Sequence, residues 1–288
     1  MSESDRSDAP PPLAYLNPEF LGGPEARIIR ILSEYLEPAA RLRRYRVRDT
    51  IVFFGSARSV SPEVAAQQLE AVREALRKPD AEKSALEEAE ARALQGVRLA
   101  RYYNDAMELA RRMTEWSKAL TGDRHFIICS GGSLGMMEAA NRGASVARGK
   151  SIGLNIELPF EQEINRFVSR ELVFNFHYFF MRKFWFVYPA KALVVFPGGF
   201  GTMDELFEVL TLIQTKMPRK KMPVVLFGTE FWDEVLNFEA LVRWGVVNRS
   251  ELGIFYKTDS VDDAYRYLSS RLEELYLSPK GLEKVKLT

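Results

Sequence analysis

The stretch Pro197-Gly198-Gly199-Phe200-Gly201-Thr202-Met203-Asp204-Glu205 constrains the fold more than any other in the chain. It follows Lys191 to Phe196, a short apolar run of the kind that makes a buried parallel strand, and it leads into Leu206 to Ile213, which has helical periodicity. The unit is therefore strand, glycine turn and helix N-terminus. Three glycines in four positions let the backbone turn sharply and approach a ligand closely, while the free N–H groups of the first helical turn point at whatever sits there. In physical terms this is a cradle for an anion such as a phosphate. Thr202 adds a hydroxyl. Asp204 and Glu205 place two carboxylates one turn from the anion, which binding alone does not require.

A second unit has the same design. Phe126 to Cys129 reads as a strand, and Ser130-Gly131-Gly132-Ser133-Leu134-Gly135-Met136-Met137-Glu138 as its turn and helix start. The order G-G-x-x-G disfavours a dinucleotide fingerprint. The later run Gly143 to Ser151 imitates a nucleotide-triphosphate loop. Its glycines are one position too far apart, and it leaves a helix to enter a strand instead of the reverse. Thr50 to Phe54 is a further strand, and Gly55-Ser56-Ala57-Arg58 is its turn. In an open parallel sheet ligands collect outside the carboxyl ends of the strands, which makes these turns the candidate pocket walls.

The rest of the chain keeps alternating. Ser151 to Ile156, Glu171 to Phe174, Val224 to Gly228 and Ile254 to Tyr256 read as strands, the last at a sheet edge. Phe176 to Tyr188, Phe231 to Trp244 and Val261 to Tyr276 read as helices, the last capped by Asp259 or Ser260. The fold class is α/β: a doubly wound, Rossmann-like parallel sheet with helices on both faces. Residues 21–288 form one nucleotide-binding domain and 1–20 a disordered tail. To this are added a helical extension over 24–46, with Ile28, Ile31, Leu32 and Tyr35 on one apolar face, and a helical hairpin inserted over 62–98. Pro79-Asp80 breaks the hairpin, and a bend near Gly96 separates it from the crossover helix that runs to Leu120. The helix at 176–188 is apolar all round except for Arg182 and Lys183, so it is expected to be buried in the core or against a partner chain. His177, at its start, has a structural role.

Charge and composition exclude several classes. Forty Lys and Arg against 39 Asp and Glu leave no basic field for nucleic acid, and the one compact basic run, Arg219-Lys220-Lys221, reads as a solvated loop. One cysteine and two histidines exclude a disulfide framework and a Cys/His zinc cluster, and they point to a reducing, cytoplasmic location. No stretch has the uninterrupted apolar length of a membrane span.

Taken together, Gly55-Ser56, SGGSLGMMEAANRGA (130–144), SIGLNIELPFEQEIN (151–165), Met181-Arg182-Lys183 and PGGFGTMDE resemble the Lonely Guy (LOG) family, formerly labelled possible lysine decarboxylases. The resemblance covers about residues 50–245. It implies hydrolysis of the N-glycosidic bond of a purine nucleoside 5′-monophosphate, giving free base and ribose 5-phosphate. The family's catalytic pair maps onto Arg182 and Glu205, and its phosphate loop onto Gly198, Gly199, Gly201 and Thr202. Lys183 supports the arginine, Gly131, Gly132 and Ser133 line the ribose side, and Gly55, Ser56, Arg58 and Glu138 are further pocket candidates. Asp204 reads as a helix N-terminal charge. No cofactor and no metal is implied, and a homodimer or higher homo-oligomer is expected through the apolar helix around Trp185. Plant-type members carry a histidine where this chain has Phe180. That difference and the two helical additions point to a bacterial branch acting on AMP or a similar nucleotide. The alternative is a nucleotide-sensing module that keeps the fold without turnover. A pyridoxal-dependent decarboxylase is disfavoured, because no lysine stands in a Schiff-base setting.

Overall fold

Every residue of Thr50–Phe54 (β1) is buried, and the sheet grows outward from this strand on both sides. The computed structural model describes residues 12–78, 82–121, 124–159, 163–216 and 221–278. Beside β1 lie Ile127–Ser130 (β2), Ser151–Ile156 (β3) and Val173–Phe176 (β4) in one direction. In the other lie Ala190–Val195 (β5), Val224–Phe227 (β6) and Phe255–Thr258 (β7). The order is β4-β3-β2-β1-β5-β6-β7, and every pairing is parallel. The chain reverses its direction of travel across the sheet between β1 and β5. At such a switch point the two flanking crossover connections leave toward opposite sides, and a crevice opens beyond the strand ends.

Both faces are covered, as parallel sheets require. One layer holds Lys83–Thr121 (α4), Met136–Val146 (α5) and Val261–Leu272 (α10), packed on Ile51, Phe53, Ile128, Val194 and Phe227. The other holds Arg27–Arg44 (α2), Phe179–Val187 (α6), Phe200–Gln214 (α7) and the short helices Thr229–Val235 (α8) and Phe238–Arg243 (α9). Trp232 is completely buried in this second layer and its indole N–H donates to the carbonyl of Phe227, so the largest side chain of the core leaves no polar atom unpaired.

Several elements differ from expectation for local reasons. Residues 12–20 are not all tail: Asn17 caps a helix at Pro18–Gly22 (α1), accepting from the N–H groups of Glu19 and Phe20. Residues 1–11, the break at Pro79-Asp80 and the basic residues Arg219 and Lys220 lie outside the described residues. The hairpin consists of Pro62–Leu76 (α3) and the first part of α4, tied by Arg73 to Glu90 at 2.8 Å. No break occurs at Gly96, where α4 continues as one helix into the crossover. The fourth strand begins two residues late because Arg170–Leu172 forms a 3-10 turn. The helix expected over 231–244 is two helices, since Asn237 accepts from the N–H of Ala240 and starts the second. Ser260 caps the last helix.

The apolar helix α6 is not covered all round. Met181, Trp185 and Phe186 are buried, whereas Phe179 and Phe180 are half exposed. Trp185 does not wait for a partner chain. Its indole N–H donates to the carbonyl of Glu34 on α2, and Tyr35 packs against both Phe184 and Trp185. The N-terminal extension thus covers the Trp185 side of this helix, while Phe179, Phe180 and Tyr188 stay exposed.

Candidate active site

The two glycine turns and the turn after β1 meet at the switch point. Ser56 joins them: its N–H donates to the carbonyl of Pro197 at 2.9 Å, and its carbonyl accepts from the N–H of Met136 at 3.0 Å. Gly55 and Gly135 are glycines because this junction is tight. A Cβ on Gly55 would sit 2.7 Å from the Met136 side chain, and one on Gly135, at φ +73°, would collide with the Ser56 carbonyl. Arg58 is exposed, its backbone N–H bonded to the Ser56 hydroxyl.

After β5 the chain turns through Gly198 and Gly199 into α7. The N–H groups of Thr202 and Met203 both return to the carbonyl of Gly199 at 3.0 Å. A Cβ on Gly198 would strike the Thr202 hydroxyl, so this glycine serves the turn itself. Gly199 and Gly201 differ, because nothing lies within 4 Å of a Cβ added to either. That open ground faces the start of a fifteen-residue helix, where amide groups lack helical acceptors. Thr202 is buried beneath the turn.

One helical turn further, Glu205 is only 3% exposed. The Arg182 guanidinium, from the neighbouring α6, approaches its carboxylate at 3.9 Å, and Lys183 approaches it at 3.6 Å. Burial pushes the Glu205 carboxyl up to about 7, against the opposing pull of Lys183 and Arg182. Burial also draws the Arg182 guanidinium below its usual value, against the pull of Glu205. Arg182 is held between the rings of Phe179 and Phe186, 5.5 and 5.4 Å from their centres. Arg182 Nε and Glu205 Oε2 are buried with no hydrogen-bond partner. Unsatisfied polar atoms of opposite sign side by side are costly in an empty protein, and they are what a polar ligand would satisfy.

Lys183 does not share that role. Its ammonium contacts Asp204 at 2.8 Å and Glu208 at 2.9 Å. Burial opposes its charge, but these bonds carry the net shift upward. Lys183, expected to support Arg182, is thus ion-paired to α7, and Asp204 is one of its two close partners. Glu138 is also engaged elsewhere, accepting from the Tyr103 hydroxyl on α4 at 3.2 Å. His177 is exposed and contacts Glu157 at 3.3 Å. Among the described residues no three His, Cys, Asp or Glu side chains converge as a metal site would need, and no helix is long and apolar enough to cross a membrane.

The sequence profile of the family described as "Possible lysine decarboxylase" matches residues 137–268, which include Arg182, Lys183 and the whole glycine turn through Glu205. A rice protein named "Probable cytokinin riboside 5'-monophosphate phosphoribohydrolase LOGL5" (Oryza sativa subsp. japonica) is 29% identical over 166 residues, covering 56% of this chain and 64% of that protein. Over the matched residues the chain is similar to the LOG family. A second relative, "Cytokinin riboside 5'-monophosphate phosphoribohydrolase LOG5" of Arabidopsis thaliana, is 25% identical over 161 residues, covering 54% of this chain and 68% of that protein. Among solved structures, the X-ray structure of TM1055 aligns at a TM-score of 0.46 with 19% identity, covering 77% of this chain and 99% of that one. The Moco carrier protein from Chlamydomonas reinhardtii aligns at 0.43 with 22% identity, covering 79% and 100%.

The second glycine turn rests on residues that sequence reasoning missed. Asn165, buried, donates its side-chain amide to the carbonyls of Gly132 (3.0 Å) and Ser133 (2.9 Å) and to Asn141 Oδ1 (3.0 Å). The Ser130 hydroxyl donates to Asn141 Oδ1 at 2.7 Å and accepts from the N–H of Gly132 at 3.0 Å. The available signal was Asn141 itself, a polar side chain among the alanines of an amphipathic helix. Glu208 was also missed, although it shares a helix face with Asp204 and Glu205.

Proposed function

We propose that this chain is a nucleoside 5′-monophosphate phosphoribohydrolase that cleaves the N-glycosidic bond of AMP or a related purine nucleotide. The observation that carries the reading is the buried Arg182–Glu205 pair, with Nε and Oε2 unsatisfied, one helical turn from the open glycines of the anion cradle. The activity named for the rice and Arabidopsis relatives supports the same reading.

In this reading the 5′-phosphate sits on the amides of the turn Gly199 to Gly201. Arg182 is the fork that holds phosphate or ribose oxygens. The glycosidic bond breaks with its electron pair leaving on the base nitrogen, so positive charge develops on the ribose ring. The ionised Glu205 carboxylate faces that charge and stabilises it. Water then adds to the anomeric carbon, with Glu205 taking its proton, and the departing base gains a proton from solvent. A carboxyl that titrates at about 7 is well matched to such proton transfer near neutral pH.

The test is to incubate purified protein with a panel of nucleoside monophosphates and follow free base and ribose 5-phosphate by chromatography. Stoichiometric release from AMP or a close relative is expected. Binding of the panel without release identifies a nucleotide-sensing module and overturns the reading.

A further inference from the structure

Because every strand pairing is parallel, all the strands begin on one edge of the sheet, a full strand length from the crevice and its chemistry. Four neighbouring strands, β4-β3-β2-β1, are each entered from a turn that carries an arginine. Arg48 lies two residues before β1, and Arg124, Arg148 and Arg170 lie three residues before β2, β3 and β4. All four are exposed, and among the described residues none has an ion-pair or side-chain hydrogen-bond partner. Neighbouring strands stand about 4.8 Å apart, so the four entries span about 15 Å in one line.

The backbone holds this line in place. The N–H of Arg48 donates to the carbonyl of Arg124 at 2.9 Å. The Lys118 ammonium donates to the carbonyls of Ala147 and Arg148 at 2.8 and 2.9 Å. The N–H of Ser151 donates to the Ser169 hydroxyl at 3.1 Å, which ties the turn before β4 to the start of β3. The nearest acid does not neutralise the row: Asp49 is buried, and its carboxylate accepts from the N–H of Phe126 at 2.5 Å and contacts the His125 ring at 2.8 Å. Glu171, beside Arg170, is half-buried. Beyond β5 the exposed Lys221 stands three residues before β6 and continues the positive edge. The near balance of charge over the whole chain argues against a global basic field. This row is local, gathered by the fold from turns far apart in sequence.

We propose that the amino-terminal edge of the sheet binds the phosphate backbone of a single-stranded nucleic acid without regard to its sequence. Arginine presents a planar fork that fits phosphate oxygens. A row one residue deep matches one phosphodiester strand, whose phosphates repeat at about 3.4 Å when stacked and farther apart when extended. A membrane contact would need apolar side chains inserted beside the charges. Here the flanking apolar residues Val47, Phe126 and Leu172 are buried.

Fluorescence anisotropy of the full chain with a 5′-fluorescein oligouridylate of about twelve nucleotides tests this. Affinity should fall linearly with salt on a double-logarithmic plot from about 50 to about 200 mM, with a slope of about −3, since each of four phosphate contacts contributes about −0.7. Glutamine at Arg48, Arg124, Arg148 and Arg170 together should weaken binding by about a hundredfold and flatten the slope, with the melting temperature unchanged. Glutamine at Arg73, Arg77, Arg92 and Arg98 of the inserted hairpin removes the same charge elsewhere and should change affinity by less than about threefold. No binding at the lowest salt, binding that survives the first set, or equal losses from both sets would overturn the proposal. So would equal affinity for a polyglutamate of the same length. A chain that ignores the oligonucleotide but floats with phosphatidylserine vesicles would also overturn it and assign the edge to a membrane surface.

Discussion

The turn after β2 and the turn after β5 share a sequence design and a place in the fold, yet they are opposite in kind. Around the first, every added Cβ meets protein: Gly131 faces the Met137 sulfur, Gly132 lies against Gly153, and Gly135 against Ser56 and Ala57. Its carbonyls are clamped by Asn165. Around the second, Gly199 and Gly201 face empty space, and nearby Arg182 Nε and Glu205 Oε2 lack hydrogen-bond partners. One turn uses glycine to pack and the other to leave room. The difference teaches that a glycine-rich loop is a ligand site only where its bonding is left incomplete.

The comparison breaks most sharply at Glu205. Glu205→Gln should cut nucleotide hydrolysis by about a thousandfold while the protein still binds ribose 5-phosphate, read by single-turnover kinetics and calorimetry. A variant with near wild-type turnover would remove the open turn from the chemistry.

Alanine at the glycines sharpens the contrast. Gly135→Ala should destabilise the fold by about 3 kcal/mol, from backbone overlap and a left-handed conformation. Gly201→Ala should leave the denaturation midpoint unchanged and weaken ribose 5-phosphate binding by about tenfold, because its methyl occupies the ligand's space. Equal losses of stability at both sites would erase the distinction. Asn165→Ala should cost about 2 kcal/mol in urea unfolding by leaving the Gly132 and Ser133 carbonyls unsatisfied.

The smallest effect is a pH dependence. The Glu205 carboxyl is raised to about 7 in the folded protein from an ordinary value of 4.5. A raised carboxyl stabilises the fold fully below its unfolded value, and that contribution is lost as pH rises through 7. The melting temperature of the wild type should therefore fall relative to Glu205→Gln between pH 5 and pH 8. Over the same interval kcat/KM should rise, as the carboxylate ionises. A flat difference in melting would show that Glu205 titrates as an ordinary surface acid.

Much of the fold was legible because its signals are local. Apolar runs of four to six residues, each followed by a turn, mark every strand to within about two residues, and parallel order follows from the alternation with helices. The cradle was legible for the same reason, since its three glycines and the helix that follows are contiguous. Asn165 was not, because its amide bonds to residues that only the β3 crossover brings within reach. Lys183 was legible as charge but not as function, because its partners sit on the next helix. The burial of Trp185 was expected from its all-apolar helix, but the cover is α2, supplied by residues about 150 positions earlier in the chain.

By itself the sequence determined the doubly wound sheet and the place of the glycine turns at strand ends, and it singled out Glu205 and Arg182 as candidates, because each depends on short-range pattern or on motif. Only the tertiary structure decided which glycine turn is packed and which is open, that Lys183 is spent on α7, and that α2 covers α6 while exposing its own outer stripe. Those outcomes turn on whether distant side chains meet with their polar atoms paired. That is a property of packing, which no run of adjacent residues encodes.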